Sequence, residues 1–493
     1  MKSQGDNNIS SATPQASVGS DIAHLTLGTQ PVSKLLVQYS VPAIIASVAT
    51  SLYNIVDSIF IGRGVGAMAI AGLAITFPLM NLVIAFCTLV AVGAATVSSI
   101  FLGQHNNRRA EDVLGNTLVL CLVHSFVVGG LSLWFLDDIL YLFGATVQTI
   151  PYAREFMRII LLGTPVSYIF IGLNNVMRAT GYPRQAMVSA LMSVVANIVL
   201  APIFIFALEW GIRGAALATI CGQLVAAVWV TVHFMKPTSV VHFSRGAKWF
   251  VWSLVKRIYA IGLSPFLMNC CACVVVVFLN KALLDSAGEM GNTAVGAYGI
   301  LNRTTMFFVM IIFGVTQGMQ PILGYNYGAR NYARVKQTLY RGLWIATGIS
   351  AVGWMATEIF PDAISKMFTT DQQMIAMART GFRIYFSAYI VVGPQIVVQN
   401  FFQSVGRPIP SIFLSLTRQL VFLLPLLWWL PRHFGVDGVW MSMVGSDILA
   451  FLLAAVLIII MIRHLNKAQR QMATPIINQT NTHDVPPATH RNT

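Results

Sequence analysis

The stretch 52-LYNIVDSIFIG-62 sets a carboxylate, Asp57, in an apolar run; among the 28 residues between Lys34 and Arg63 it is the only formally charged one. Thr50, Tyr53, Asn54 and Asp57 recur at intervals of three and four, so a helix lines them up as one polar stripe facing the protein interior. Val48, Ile55 and Ile59 take the opposite side. A carboxylate beside an amide and hydroxyls accepts a proton or a hard cation such as Na+, which makes Asp57 the candidate metal ligand of the chain. The competing reading is a hydrogen-bonded brace between kinked helices. Asn175, Asn197, Thr219 and Gln223 are the candidate partners in the same half of the sequence.

The second half has a different polar set: Asn269, Arg303, Gln317, Gln320, Gln395, Gln399, Arg418 and Asp447. Arg418 and Asp447 form the natural intramembrane ion pair, either structural or part of a site. Asn175, Gln223, Asn269, Gln317, Gln395 and Gln399 are candidates to line a substrate cavity. Each such amide also serves well as a helix–helix hydrogen bond. The 21 Met and 29 Phe suit an adaptable apolar cavity, and lipid-facing packing uses the same residues.

The elements that position these groups must cross a bilayer. Of the 493 residues 56% are hydrophobic and only 10% charged, with a mean hydropathy of +0.70; soluble chains keep roughly a quarter of their residues charged. Twelve runs are long enough to span ~30 Å of hydrocarbon as helices. They fall near 35–61, 69–100, 113–136, 155–178, 185–207, 214–235, 258–280, 293–323, 337–357, 380–402, 409–431 and 438–462. Only Asp57 and Asp447, of 17 acidic residues, lie well inside them. Such a residue costs about 2.5–3.5 kcal/mol at a helix centre, so each must face protein or water. Pro42, Pro78, Pro165 and Pro202 lie within spans and free backbone carbonyls near the polar residues.

An even span count puts both termini on one side. With that side cytoplasmic, Lys and Arg concentrate on the inner loops, so the net charge of +14 reflects topology and not a nucleic-acid partner. Residues 1–30 and 466–493 are polar and predict disordered cytoplasmic tails; 31–243 and 244–465 predict two six-helix lobes. The linker 244-SRGAKWFVWSLVKRIYAIGL-263 interleaves aromatic and basic residues and predicts a short helix lying in the inner interface, covering the join between the halves. The alternative use of that composition is a specific lipid site.

The halves repeat one another. Ser40-Val41-Pro42 matches Leu263-Ser264-Pro265, 174-NNVMRATGYP-183 matches 399-QNFFQSVGRP-408, and 211-GIRGAALA-218 matches 435-GVDGVWMS-442. The offset stays between 221 and 225 residues. Six spans per copy insert both copies the same way, related by a pseudo-two-fold axis along the membrane normal with a cavity between two lobes, a transporter architecture. No phosphate-binding loop appears, and no nucleophile has a base beside it, so the chain reads as no enzyme and needs no cofactor. The isolated His124 reads as a helix-interface residue. The six cysteines sit in apolar runs and read as small buried hydrophobes.

The segments 52-LYNIVDSIFIGRGVG-66, 70-IAGLAITFPLMNLVIAF-86, 178-RATGYP-183, 317-QGMQPILGYNYGARN-331 and 435-GVDGVW-440 resemble the multidrug and toxic compound extrusion (MATE) family, most of all its DinF/MepA-like bacterial branch. The resemblance covers nearly all of residues 25–465. It implies an all-α, twelve-helix, two-lobed antiporter of a bacterial inner membrane, working as a monomer. Such proteins export bulky, often cationic drugs in exchange for H+ or Na+. It also implies a cation-coupling role for Asp57 with Asn197 and Thr219, beside Tyr53 and Asn54. The family often reads N-x-x-L-D-P in the fifth span, whereas this chain has 197-NIVLAP-202; Ala201 stands where the second carboxylate would be. That leaves a proton cycle through Asp57, or a sodium site completed by other oxygens. A flippase for lipid-linked saccharide precursors is the alternative, disfavoured because Arg303 and Arg418 are the only candidates for a basic cavity.

Overall fold

The computed structural model describes residues 26–244 and 246–473. It is almost wholly helical, because in lipid a backbone must satisfy its own hydrogen bonds. Six helices build the first lobe: α1 (Val32–Gly64), α2 (Ala67–Gly103), α3 (Asn107–Trp134), α4 (Ile150–Leu162 and Thr164–Ala179), α5 (Pro183–Pro202, continued by a π-helical turn at Ile203–Ala207) and α6 (Gly211–Met235). The second lobe repeats them as α7 (Trp252–Ala287), α8 (Gly291–Gly328), α9 (Tyr332–Ile359), α10 (Gln372–Tyr385, a 3-10 stretch at Phe386–Val391, then Val392–Ser404), α11 (Pro408–Leu416, a π-helical stretch at Thr417–Leu423, then Leu424–Trp429) and α12 (Pro431–Ala473). These are the twelve spans expected.

Where the helices of the first lobe depart from regularity, proline accounts for it. α4 bends by 54° at Gly163, beside Pro165, and the π-helical turn of α5 begins after Pro202. The duplication is legible in the backbone as well. Gly181 and Gly406 both take positive φ (110° and 70°) in the turns before Pro183 and Pro408. Asn106 and Asn331 both cap the next helix through their side chains, accepting from the Arg109 and Arg334 N–H groups.

The lobes meet along α1 with α8 and α2 with α7. Close approach requires glycine: a Cβ on Gly318 would collide with Ser40, and one on Gly262 with the Leu89 carbonyl. Ser40 Oγ donates to the Val315 carbonyl at 3.3 Å and Gln320 Nε2 to Thr96 Oγ1 at 2.8 Å, both across the seam. Further along the same two helices, Leu52, Ile55 and Ile59 of α1 and Met306 and Phe307 of α8 are exposed.

Three boundary expectations change. Residues 26–29 are helical, not tail, because Leu27 is buried and its carbonyl accepts from Asn326 Nδ2 and Arg334 Nη2. α12 runs to Ala473, past the expected end at 465. Of the stretch 244–263 expected as a short interfacial helix, residues from Trp252 onward instead begin α7, and the described residues between Met235 and Trp252 are irregular, with α3 side chains holding the backbone groups of Lys248 and Val251. The remaining tail residues lie outside the described residues.

Candidate functional site

Asp57 sits two turns from the end of α1 and is buried, with 8% of its surface exposed. α5 and α6 pack around it. Gly222 of α6 permits the crossing, since a Cβ there would meet the Ser193 carbonyl and the backbone of Asn197. Asn197 Nδ2 donates to Thr219 Oγ1 at 3.1 Å, and Thr219 Oγ1 donates to the Ala215 carbonyl at 3.1 Å. The Tyr53 phenol lies beside Thr219 and within electrostatic reach of Asp57. One helix turn beyond Asn197, Ala201 is fully buried. The structure therefore gathers Asp57, Tyr53, Asn197 and Thr219 from three helices.

Asp57 Oδ1 is buried and has no hydrogen-bond partner among the described residues. A buried polar atom left unsatisfied costs roughly 1–3 kcal/mol, more if charged, and calls for an explanation. A structural brace would have both oxygens engaged. An oxygen that takes a proton or a cation only part of the time would be left in this condition. Thr50, expected in the same stripe, is exposed and donates to the Ala46 carbonyl of its own helix at 2.8 Å. It lies two turns before Asp57 on α1. The Asn54 side chain lies outside the described residues.

The six cavity candidates are for the most part tied into helix packing. Asn175 Oδ1 and Gln317 Oε1 accept from the two ends of one guanidinium, Arg178 Nη2 and Nη1, each at 2.6 Å. Gln223 Oε1 accepts from Ser167, and Asn269 Nδ2 donates to the Pro265 carbonyl at 2.8 Å. Gln399 Nε2 donates to Ser415 Oγ at 2.7 Å. Gln395 is the exception: only 1% exposed, it has no partner for either amide atom among the described residues. In the second lobe Arg418 Nε donates to Asp447 Oδ1 at 2.7 Å, with Tyr385 and Tyr389 around the pair. Arg303 stands over the Phe368 ring at 5.9 Å.

Arg178 is the residue that sequence reasoning missed. At the last residue of the fourth expected span, it is buried and links α4 of one lobe to α8 of the other. Its signal was the 178-RATGYP-183 repeat, in which Gln403 holds the equivalent place. No cluster of three or more His, Cys, Asp or Glu suited to a metal occurs among the described residues, and all six cysteines are free.

The MatE family profile matches residues 42–203 and again 265–429, once in each lobe. The chain is 27% identical over 420 residues to the multidrug export protein MepA of Staphylococcus haemolyticus, covering 85% of this chain and 92% of that one. Among solved structures it is 36% identical to the MATE multidrug transporter DinF-BH, with a TM-score of 0.80 over 88% of this chain and 96% of that one. It also superposes on an outward-facing multidrug resistance MATE family transporter of the MOP superfamily, with a TM-score of 0.84 and 23% identity over 91% of this chain and 98% of the other.

Proposed function

Because the chain belongs to the MatE family, we propose that it is a secondary active exporter, driving bulky, amphipathic or cationic drugs out across a bacterial inner membrane as protons or sodium ions enter. Asp57 is the cation acceptor, with Tyr53, Asn197 and Thr219 as its surroundings. The observation that carries this reading is the buried, unpartnered Asp57 Oδ1 in an otherwise satisfied cluster.

A proton is the simpler coupling ion. It needs one free lone pair, which Oδ1 offers, whereas a hard cation needs several oxygens at once. Ala201 contributes none. Protonation removes the charge that opposes burial, so the cycle can run between an exposed, charged Asp57 and a sequestered, neutral one. Lobes packed closely through glycine where α1 meets α8 and α2 meets α7 have a seam about which they could rock, which suits alternating access. MepA and DinF-BH are described as multidrug proteins, which supports a drug as substrate here.

The test is efflux of a cationic rhodamine dye from cells producing the natural chain or Asp57→Asn, with sodium varied at fixed pH. Export should vanish in the variant while its abundance in the membrane is unchanged. Efflux at the natural level from Asp57→Asn refutes the coupling role. Independence from sodium together with collapse under a protonophore identifies the proton; the reverse identifies sodium.

A further inference from the structure

We propose that the groove between the start of α3 and the interlobe linker binds the phosphate headgroup of an anionic phospholipid, at a place separate from the transport site. A cavity of about 460 Å³ opens there, with Arg108, Arg109 and Lys248 in its wall and Asn106 and Ser253 as neutral polar neighbours. Arg108, Arg109 and Lys248 are exposed, and among the described residues none of them forms a salt bridge.

The nearby acids are committed elsewhere. Asp112, also in the wall, is buried and accepts the Lys248 backbone N–H at 2.8 Å. Glu111, close enough to feel Arg108, is paired with His242 at 3.3 Å. Two arginines in the first turn of a helix also work against its dipole, a placement that costs a few tenths to ~1 kcal/mol unless an anion sits with them.

The linker is clamped in place around this cavity. The fully buried Asn116 donates to the Lys248 carbonyl at 3.0 Å and accepts the Val251 N–H at 2.7 Å. With Asp112 it fixes both ends of the Lys248–Val251 segment on α3. A passive tether needs no such fixing; a segment that must hold Lys248 opposite Arg108 and Arg109 does. Phe243 stacks on Trp249 at 5.7 Å with rings 5° apart, and this completes the clamp.

The aromatic rim argues for a lipid over a soluble anion. Trp249, Phe250 and Trp252 are 45%, 59% and 58% exposed beside the cations, and Lys256 Nζ lies 5.6 Å from the centre of the Trp252 ring. Exposed Trp and Phe next to Lys and Arg at the end of spanning helices is the arrangement that seats in the headgroup layer. A free phosphate needs the cations only; a phospholipid uses both.

The experiment takes the full chain in detergent and measures retention of fluorescent phosphatidylglycerol against phosphatidylcholine of the same acyl composition. The natural chain should retain the anionic lipid preferentially. The triple variant R108Q/R109Q/K248Q should lose that preference by roughly fivefold per neutralised cation. Lys467→Gln, at an exposed cation on α12, should retain it, and an unchanged elution profile of the triple variant shows that its fold survives. Equal retention of both lipids by the natural chain overturns the proposal. So does a triple variant with undiminished preference, or displacement of the lipid by inorganic phosphate at matched concentration, which would make the groove a free-anion site.

Discussion

The two lobes are one backbone used twice, with their buried charges arranged in opposite ways. Both turn at a positive-φ glycine before a proline, at Gly181 and Gly406, and both open a helix on an asparagine cap, at Asn106 and Asn331. In the first lobe a single intramembrane acid, Asp57, is buried with an unpartnered oxygen. At the internal offset its counterpart in α7 is Asn280, which carries no charge. In the second lobe the buried acid is Asp447, held by Arg418 at 2.7 Å, and its counterpart in α6 is Gln223. A paired carboxylate has little reason to bind anything else, because releasing its partner leaves an uncompensated buried charge. A lone one can exchange its partner at modest cost. Under the proposed function, the lobe that keeps its acid unpaired would be the one that binds and releases the ion, and the paired lobe would supply the rigidity against which it moves.

The largest expected effect breaks this comparison directly. Asp57→Asn should abolish efflux of the rhodamine dye, and adding Asn280→Asp should not restore it, although the acid then stands at the equivalent point of the repeat. Asn280 has none of the surrounding set: at the internal offset Tyr53 becomes Val276 and Thr219 becomes Met443. Restored efflux would mean that the lobes are interchangeable and that the asymmetry in buried charge is incidental.

The second effect is on stability. Asp447→Asn leaves a buried guanidinium without its carboxylate and should lower stability by about 3–5 kcal/mol, read as an earlier thermal loss of the monodisperse peak in detergent. Removing both partners, in Arg418→Met with Asp447→Leu, should recover most of that loss. A double variant that is stable but unable to export the dye would move Asp447 from the supporting role to the coupling one.

A third, smaller effect tests the surroundings of Asp57. Asn197→Ala removes the donor to Thr219 Oγ1 and leaves that hydroxyl held by its own bond to the Ala215 carbonyl. Efflux should persist, with its dependence on the driving-ion concentration shifted by about tenfold or less, the equivalent of one hydrogen bond at ~1.4 kcal/mol. A shift as complete as that of Asp57→Asn would make Asn197 a ligand in its own right.

How far this was legible in the sequence follows from which forces were local. The spans, the repeat and the two intramembrane acids are written in composition and periodicity, so the twelve helices and the positions of Asp57 and Asp447 needed no coordinates. The Arg418–Asp447 contact was the natural pairing because few charges compete for a partner inside the spans. Asn197 and Thr219 entered the coupling set through family resemblance, and only the packing of α5 on α6 at Gly222 brings them together. What stayed hidden depends on contacts between lobes or on backbone satisfaction. Arg178 reads as one more cation at the end of a span until Gln317 of the other lobe closes on it. The linker reads as an amphipathic helix until Asn116 and Asp112, over 130 residues earlier in the chain, claim its backbone groups. Thr50 satisfies the helical period yet is exposed and spends its hydroxyl on the Ala46 carbonyl of its own helix.

The smallest expected effect concerns the ion and not whether transport occurs. Ala201 lies one helix turn after Asn197, on the same face of α5, and is fully buried. Ala201→Asp adds a second carboxylate to a cluster that already offers one carboxylate and an amide and hydroxyls from Tyr53, Asn197 and Thr219. Two acids close together cannot both stay ionised without a cation between them. The variant should still export the dye, and sodium at fixed pH should now stimulate it, by less than a factor of ten (~1.4 kcal/mol). The natural chain should show no such stimulation if the proton is its coupling ion. Sodium stimulation in the natural chain, unchanged by Ala201→Asp, would mean that Asp57 already holds sodium with neutral oxygens alone. The first lobe would then differ from the second in binding a metal ion, and not in keeping an acid free for a proton.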